Sequence, residues 1–282
     1  MKGTKYGKLT PDMLPVMNTR LTNIKLPAEF NRQPRTLDEL CHWKATELRS
    51  FLLYTGMVVL KPIFEQRQYK HFLSLCISMR MLCESSAPVR NASVGDARGL
   101  LEYFVWNAYQ YYGPLFTVYN EHGLIHLPDD VELSGQSLDE LSAFQFENYL
   151  GWLKRLARGK RAPLVQITKR LNEWYVSDHQ VTSNKEFMKK YDTGRNSWFQ
   201  VSGGYFNLLE IKGNNLHGRI YEGAVLNNFF SDFVESKELG IVSIDNRCRG
   251  THSKLRKTDM VRKCVCISDE NCNVLIPLLN DM

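Results

Sequence analysis

The run YNEHGLIHLPDDV (119–131), followed after a polar spacer by SAFQFENYLGWLKRLAR (142–158), decides how the rest of the chain is read. Residues 120–133 read as helical despite Pro128, and a second helix opens on the Phe146 block. Glu147 falls in the first turn of that second helix, where the helix dipole stabilises a carboxylate without any metal. His122 and His126 lie four apart on one helical face, with Asp129 and Asp130 a turn further on. Such spacing can ligate a transition metal. However, position 123 is Gly where a zinc protease carries Glu beside its first His. The favoured reading is a pair of polar core histidines bonded to the Asp side chains or backbone, so no metal is expected here.

Moving outward, charge concentrates directly after this block. Between Gly151 and Trp174 stand Lys154, Arg155, Arg158, Lys160, Arg161, Lys169 and Arg170 against a single acid, Glu173. The whole chain carries +6, so this window matches the entire net charge. Read as one continuous helix, it puts 154, 158 and 161 on a shared face with 155 alongside. A basic face of this kind suits a polyanion partner, because neutralised phosphates release counterions. A solvated, solubilising face is an equal reading from charge alone. Trp152 fits core packing better than base stacking. The run KRLARGKR (154–161) also has the composition of a nuclear import signal. A second basic cluster, from Arg247 to Lys257, reads as a loop able to contact phosphate.

The 282 residues accommodate two ordinary domains, and 43% hydrophobic with 11% aromatic content supports a buried core. No apolar run approaches the roughly 20 residues of a membrane span, and MKGTKYGKLTP lacks the apolar core of a secretory signal. Seven scattered cysteines read as reduced thiols. Cys264 and Cys266 would share one face of a strand as buried thiols. The expected location is nuclear or cytoplasmic.

Residues 9–25 read as a short helix, and Thr36 to Glu39 as a capping box ahead of an amphipathic stretch through Leu53. Buried helices follow over 56–64 and 69–83. The polar patch 84–93 interrupts the pattern before a helix over 94–112, and Phe116 to Tyr119 reads as a short strand. After about Asn184 the pattern changes to short runs with β-branched and aromatic residues: 197–201, 205–211, 219–226, 229–234, 240–244, 261–267 and 274–279. The expected fold class is α+β: a helical domain over 1–180 and a small antiparallel β-sheet or barrel domain over 190–282.

Together the opening blocks resemble the closing segment of the catalytic region in animal CACTA (En/Spm-type) DDE transposases. There a two-His block with a trailing Asp pair precedes a helix opening on Phe-Glu-Asn-Tyr-Leu. LPAEFNRQPRTLDELCHWKATELRSFLLYTGMVVLK (26–61) and YKHFLSLCISMRML (69–82) are similar to blocks of the same family, as are Leu-Gly-Ile-Val (239–242) and Ile-Pro-Leu-Leu (276–279) in its β-rich tail. The resemblance implies that the helical part is the end of an RNase H-like catalytic region and that Glu147 is the third carboxylate of its metal site. The intact family would use Mg²⁺. Two-metal chemistry holds its ions about 3.5–4 Å apart and needs a full carboxylate set. Asp12, Asp38 and Asp96 all lie in or beside expected helices, so none replaces the two strand-borne Asp residues. The resemblance therefore implies a catalytically incomplete transposon-derived protein with no cofactor of its own. Its expected role is nucleic-acid binding through residues 154–170, with DNA as partner. The alternatives are a protein-interaction module for full-length transposase or a host protein, and a non-functional gene relic.

Overall fold

The structure, a computed structural model, describes residues 9–113, 116, 118–159, 161–176, 194–213 and 215–279. It begins with α1 (Met13–Asn23) and a 3-10 segment, Leu37–His42. Next come α2 (Ala45–Ser50), a π turn (Phe51–Thr55) and α3 (Gly56–Leu60), which form one unbroken helical run. The π turn sits where Gly56 meets its neighbours: a Cβ there would lie 2.7 Å from the Phe51 carbonyl oxygen and 2.8 Å from the Phe72 ring. Only glycine lets the widened turn pack this closely. Thr36 does not cap a helix; instead the Glu47 carboxylate accepts the Lys44 backbone N–H at 2.8 Å.

The long pair α4 (Gln66–Leu82) and α5 (Ala87–Tyr112) forms the centre of the helical layer. Helix α5 starts seven residues before the expected Val94, with Pro88 in its first turn. The polar patch was read as a break, but its side chains act as clamps. Arg90 is buried and donates to the carbonyls of Glu84 (2.8 Å) and Gly135 (2.7 Å). After α5 come α6 (Tyr119–His122), a 3-10 turn (Gly123–His126), α7 (Leu127–Ser134) and α8 (Leu138–Leu141). Among the described residues of the expected strand over 116–119, Phe116 and Val118 lie outside any strand and Tyr119 is helical. Tyr119 opens α6, because the Glu121 carboxylate captures the Val118 N–H at 2.7 Å as a helix cap. The helical half closes with α9 (Phe144–Leu156) and α10 (Pro163–Val176).

The C-terminal part is an eight-stranded antiparallel sheet: β1 (Trp198–Val201), β2 (Gly204–Lys212), β3 (Asn215–Glu222), β4 (Asn227–Asn228), β5 (Val242–Asp245), β6 (Thr251–Arg256), β7 (Met260–Ser268) and β8 (Cys272–Pro277). Its order is β4-β5-β8-β7-β1-β2-β3-β6. Two readings of the sequence are corrected. The apolar run 229–234 is not a strand, because Phe229 and Phe230 turn into the core and the Ser236 hydroxyl, accepting the Phe229 N–H at 2.8 Å, holds the loop. Residues 251–256, read as part of a basic loop, form the edge strand β6, since Leu255 anchors them against Phe199, Phe206 and Leu216.

One apolar core crosses the change in composition. Leu53, Met57, Leu73 and Ile77 of the helices pack with Val265, Ile267, Val274 and Ile276 of β7 and β8. Polar ties reinforce the seam. Arg80 is buried in α4 and donates to the Leu53 and Pro277 carbonyls at 2.9 and 3.1 Å, while its guanidinium sits over the Tyr54 ring. Lys263 on β7 is 0% exposed. Its ammonium bonds both Glu29 oxygens at 2.8 and 2.9 Å and Asn196 Oδ1 at 2.9 Å. Arg262 binds Glu84. No helix among the described residues is long and apolar enough to cross a membrane.

Candidate nucleic-acid interface

Helices α9 and α10 form a hairpin, and the side chain of Gln166 closes its turn. The Gln166 carbonyl accepts the N–H groups of Arg158 (3.0 Å) and Gly159 (3.1 Å). The amide donates to the Gly159 and Arg161 carbonyls at 3.2 and 2.6 Å. One side chain thus fixes four backbone groups of a turn that carries two arginines. The sequence signal was a single Gln inside a basic run, which nothing local marks as special.

The hairpin distributes the basic residues over two helices and their connection rather than one helical face. Helix α9 ends at Leu156, so Lys154 and Arg155 lie in its last turn, Arg158 and Arg161 in the connection, and Lys169 and Arg170 on α10. Lys160 lies outside the described residues. Lys154, Arg155, Arg158, Arg161 and Lys169 are exposed, and Arg170 is half-buried. None of these six has a carboxylate partner among the described residues. Elsewhere in the fold several arginines are acid-paired. There Arg35 pairs with Glu47, Arg49 with Asp139, Arg98 with Asp129 and Glu132, and Arg262 with Glu84. The Arg35 guanidinium holds the Glu47 carboxyl below its ordinary range.

Apolar residues of the hairpin are also open to solvent. Phe146 is 68% exposed on α9 and Leu164 77% on α10, with Tyr149, Leu150 and Val165 exposed as well. Trp152 is half-buried, with its ring 5.5 Å from that of Tyr149.

Glu147 occupies the first turn of α9, as the helix start required, and is exposed. No group of three or more His, Cys, Asp or Glu side chains arranged to hold a metal occurs among the described residues. His122 and His126 are not core residues: both are exposed, one in α6 and one in the 3-10 turn after it, with ring centroids 5.4 Å apart. Their expected partner Asp129 lies 3.5 Å from His126 but is committed to Arg98, which holds its carboxyl below the ordinary range. The 3-10 turn changes the angular step and leaves both rings outside. Cys264 is fully buried, and Cys266 is half-buried with its thiol pushed up to about 12 by desolvation. All seven cysteines are free.

No family model matches the chain, and neither the curated proteins nor the solved structures give a match. The likeness to CACTA-type transposases therefore rests on the sequence blocks quoted above.

Proposed function

We propose that this chain is a transposon-derived, catalytically incomplete protein that binds nucleic acid through the α9–α10 hairpin. The observation that carries the reading is the grouping of exposed cations along one helical hairpin. Arg35, Arg49, Arg98 and Arg262 are each matched by an acid, whereas no carboxylate partner of Lys154, Arg155, Arg158, Arg161, Lys169 or Arg170 occurs among the described residues. Exposed cations grouped along one hairpin suit a phosphate backbone, which supplies negative charge and releases its own counterions. Catalysis is not part of the proposal, because Asp12, Asp38 and Asp96 do not read as replacements for the two strand-borne Asp residues that two-metal chemistry needs beside Glu147. An RNase H-like ancestry for the helical half belongs to the same proposal and rests on the resemblance.

Mobility shift at low salt tests the binding, with labelled duplex and single-stranded DNA. The wild type should retard both, and a variant with Gln at 154, 155, 158, 160 and 161 should lose most of the shift. With Mg²⁺ or Mn²⁺ added, no strand should be cut. Cleavage that disappears in Glu147→Gln would overturn the catalytic part.

One observation favours a second reading. The exposed Phe146, Tyr149, Leu150, Leu164 and Val165 suit a protein partner, such as full-length transposase or a host protein, with the charges serving solubility. Absence of any DNA shift at low salt would bring this reading forward.

A further inference from the structure

The edge strand β6 pairs with β3 in a register that sets Arg219 opposite His252, His217 opposite Lys254 and Asn215 opposite Arg256. Directly opposed residues point to the same side of a sheet. The intervening positions Leu216 and Leu255 pack on the other side, against Phe199 and Phe206. One face of the β3–β6 ribbon is therefore a ladder of basic and imidazole groups. His252, Lys254 and Arg256 are exposed, and His217 and Arg219 are half-buried.

Opposed side chains on a ribbon normally gain from opposite charge, and like charges side by side oppose folding. Here Arg219 lies diagonal to Lys254, and Lys254 is two residues from Arg256. These distances are about 7–8 Å and about 6.8 Å. No carboxylate partner for the Arg219, Lys254 or Arg256 side chain occurs among the described residues. Glu210 stands in register with His217 but is engaged by Lys212 at 2.9 Å. The Asp259 carboxylate accepts the Arg256 backbone N–H at 2.7 Å rather than its guanidinium. Arg219 Nε is shielded and has no hydrogen-bond partner among the described residues. Protection of a sheet edge explains a lysine on β6. It does not explain why the ladder continues onto β3, an interior strand.

We propose that the β3–β6 face is a second contact surface for a nucleic-acid backbone. Its two-residue repeat of about 6.8 Å is comparable to the step between successive phosphates, so each rung can meet one phosphate of an extended strand. The inference rests on the nucleic-acid reading of the hairpin and adds a surface to it.

The test is fluorescence anisotropy of a labelled oligothymidine strand with the full chain across a salt series. The expected result for Lys254→Gln with Arg256→Gln is affinity about tenfold lower at low salt and a salt slope shallower by about 1.4, two contacts at roughly 0.7 each. Lys254→Glu keeps the outcome independent of folding damage. It places an acid opposite His217 and near Arg219 and Arg256, so its urea midpoint should rise while binding falls further. Unchanged affinity and slope in both ladder variants, with binding lost in the hairpin Gln variant, overturns the inference and leaves the hairpin reading intact. A wild type that fails to bind at low salt overturns both. A loss that does not depend on salt points instead to strand addition at the β6 edge and also overturns the proposal.

Discussion

Removing Glu29 should destabilise the fold more than removing the buried lysine it binds. Lys263 is fully enclosed, and its ammonium is held by Glu29 from the N-terminal connector and by Asn196 just before β1. Glu29→Ala leaves that ammonium buried with Asn196 Oδ1 as a remaining acceptor. Breaking a buried pair from one side costs about 3–5 kcal/mol. The Glu29 side chain is 23% exposed and Asn196 remains, so a cost at or just below the bottom of that range, about 2–3 kcal/mol, is expected. Lys263→Met removes the charge itself and keeps similar volume. Glu29 can then turn to water, and Asn196 still accepts the Ala28 N–H at 2.9 Å. The expected cost is about 1 kcal/mol or less. The double variant should match Lys263→Met, since the glutamate has nothing left to neutralise. Urea unfolding at constant m-value gives all three differences. A larger loss for Lys263→Met than for Glu29→Ala would refute the argument that the lysine needs its partner more than the fold needs the lysine.

Gly56→Ala should destabilise by about 1–3 kcal/mol, because its Cβ would press into the Phe51 carbonyl and the Phe72 ring; thermal unfolding reads this. Gln166→Ala should leave global stability nearly unchanged, weaken DNA binding and speed amide exchange at Arg158 and Gly159, whose N–H groups it frees. His71 is buried among Phe104, Tyr111 and Tyr112, its Nε2 lies 2.9 Å from the Phe104 carbonyl, and burial lowers its pKa. The unfolded chain takes up a proton that the folded chain refuses. Stability from this site is therefore full above about pH 6.5 and falls as pH drops from there toward the depressed folded value. His71→Phe should flatten that part of the urea-midpoint profile, and an unchanged profile would remove His71 as its source. Proteolysis in the polar stretch 176–187, which lies outside the described residues beyond Val176, should yield two pieces. These should stay associated through the core shared by the helices and β7–β8.

How much of this was legible depended on the range of the contacts. Periodicity located α4, and the shift to short β-branched runs located β1, β2, β5, β7 and β8, because each of these elements buries an apolar face of its own. Position 229 was misread because two adjacent phenylalanines look the same in a strand and in a loop that dives into a core. Strand β6 was missed because its burial is one-sided and slight, with Leu255 as its apolar anchor. The start of α5 was placed late because Arg90 uses its charge on the carbonyls of Glu84, just before the helix, and of the distant Gly135. At the candidate site the basic residues themselves were plain in the sequence. Their distribution over two helices and a turn depended on Gln166, whose four backbone contacts arise only once the chain has reversed.

The most direct test of the central claim is the salt slope of DNA binding by the full chain, compared with the variant carrying Gln at 154, 155, 158, 160 and 161. If the hairpin neutralises about six phosphates, log K against log salt should fall with a slope of about −5 on duplex and about −4 on single strands. The Gln variant should lose most of that slope and bind all sequences more weakly alike. A wild-type slope near zero, or one that the five substitutions leave unchanged, would contradict the claim that the basic residues of the hairpin bind a phosphate backbone.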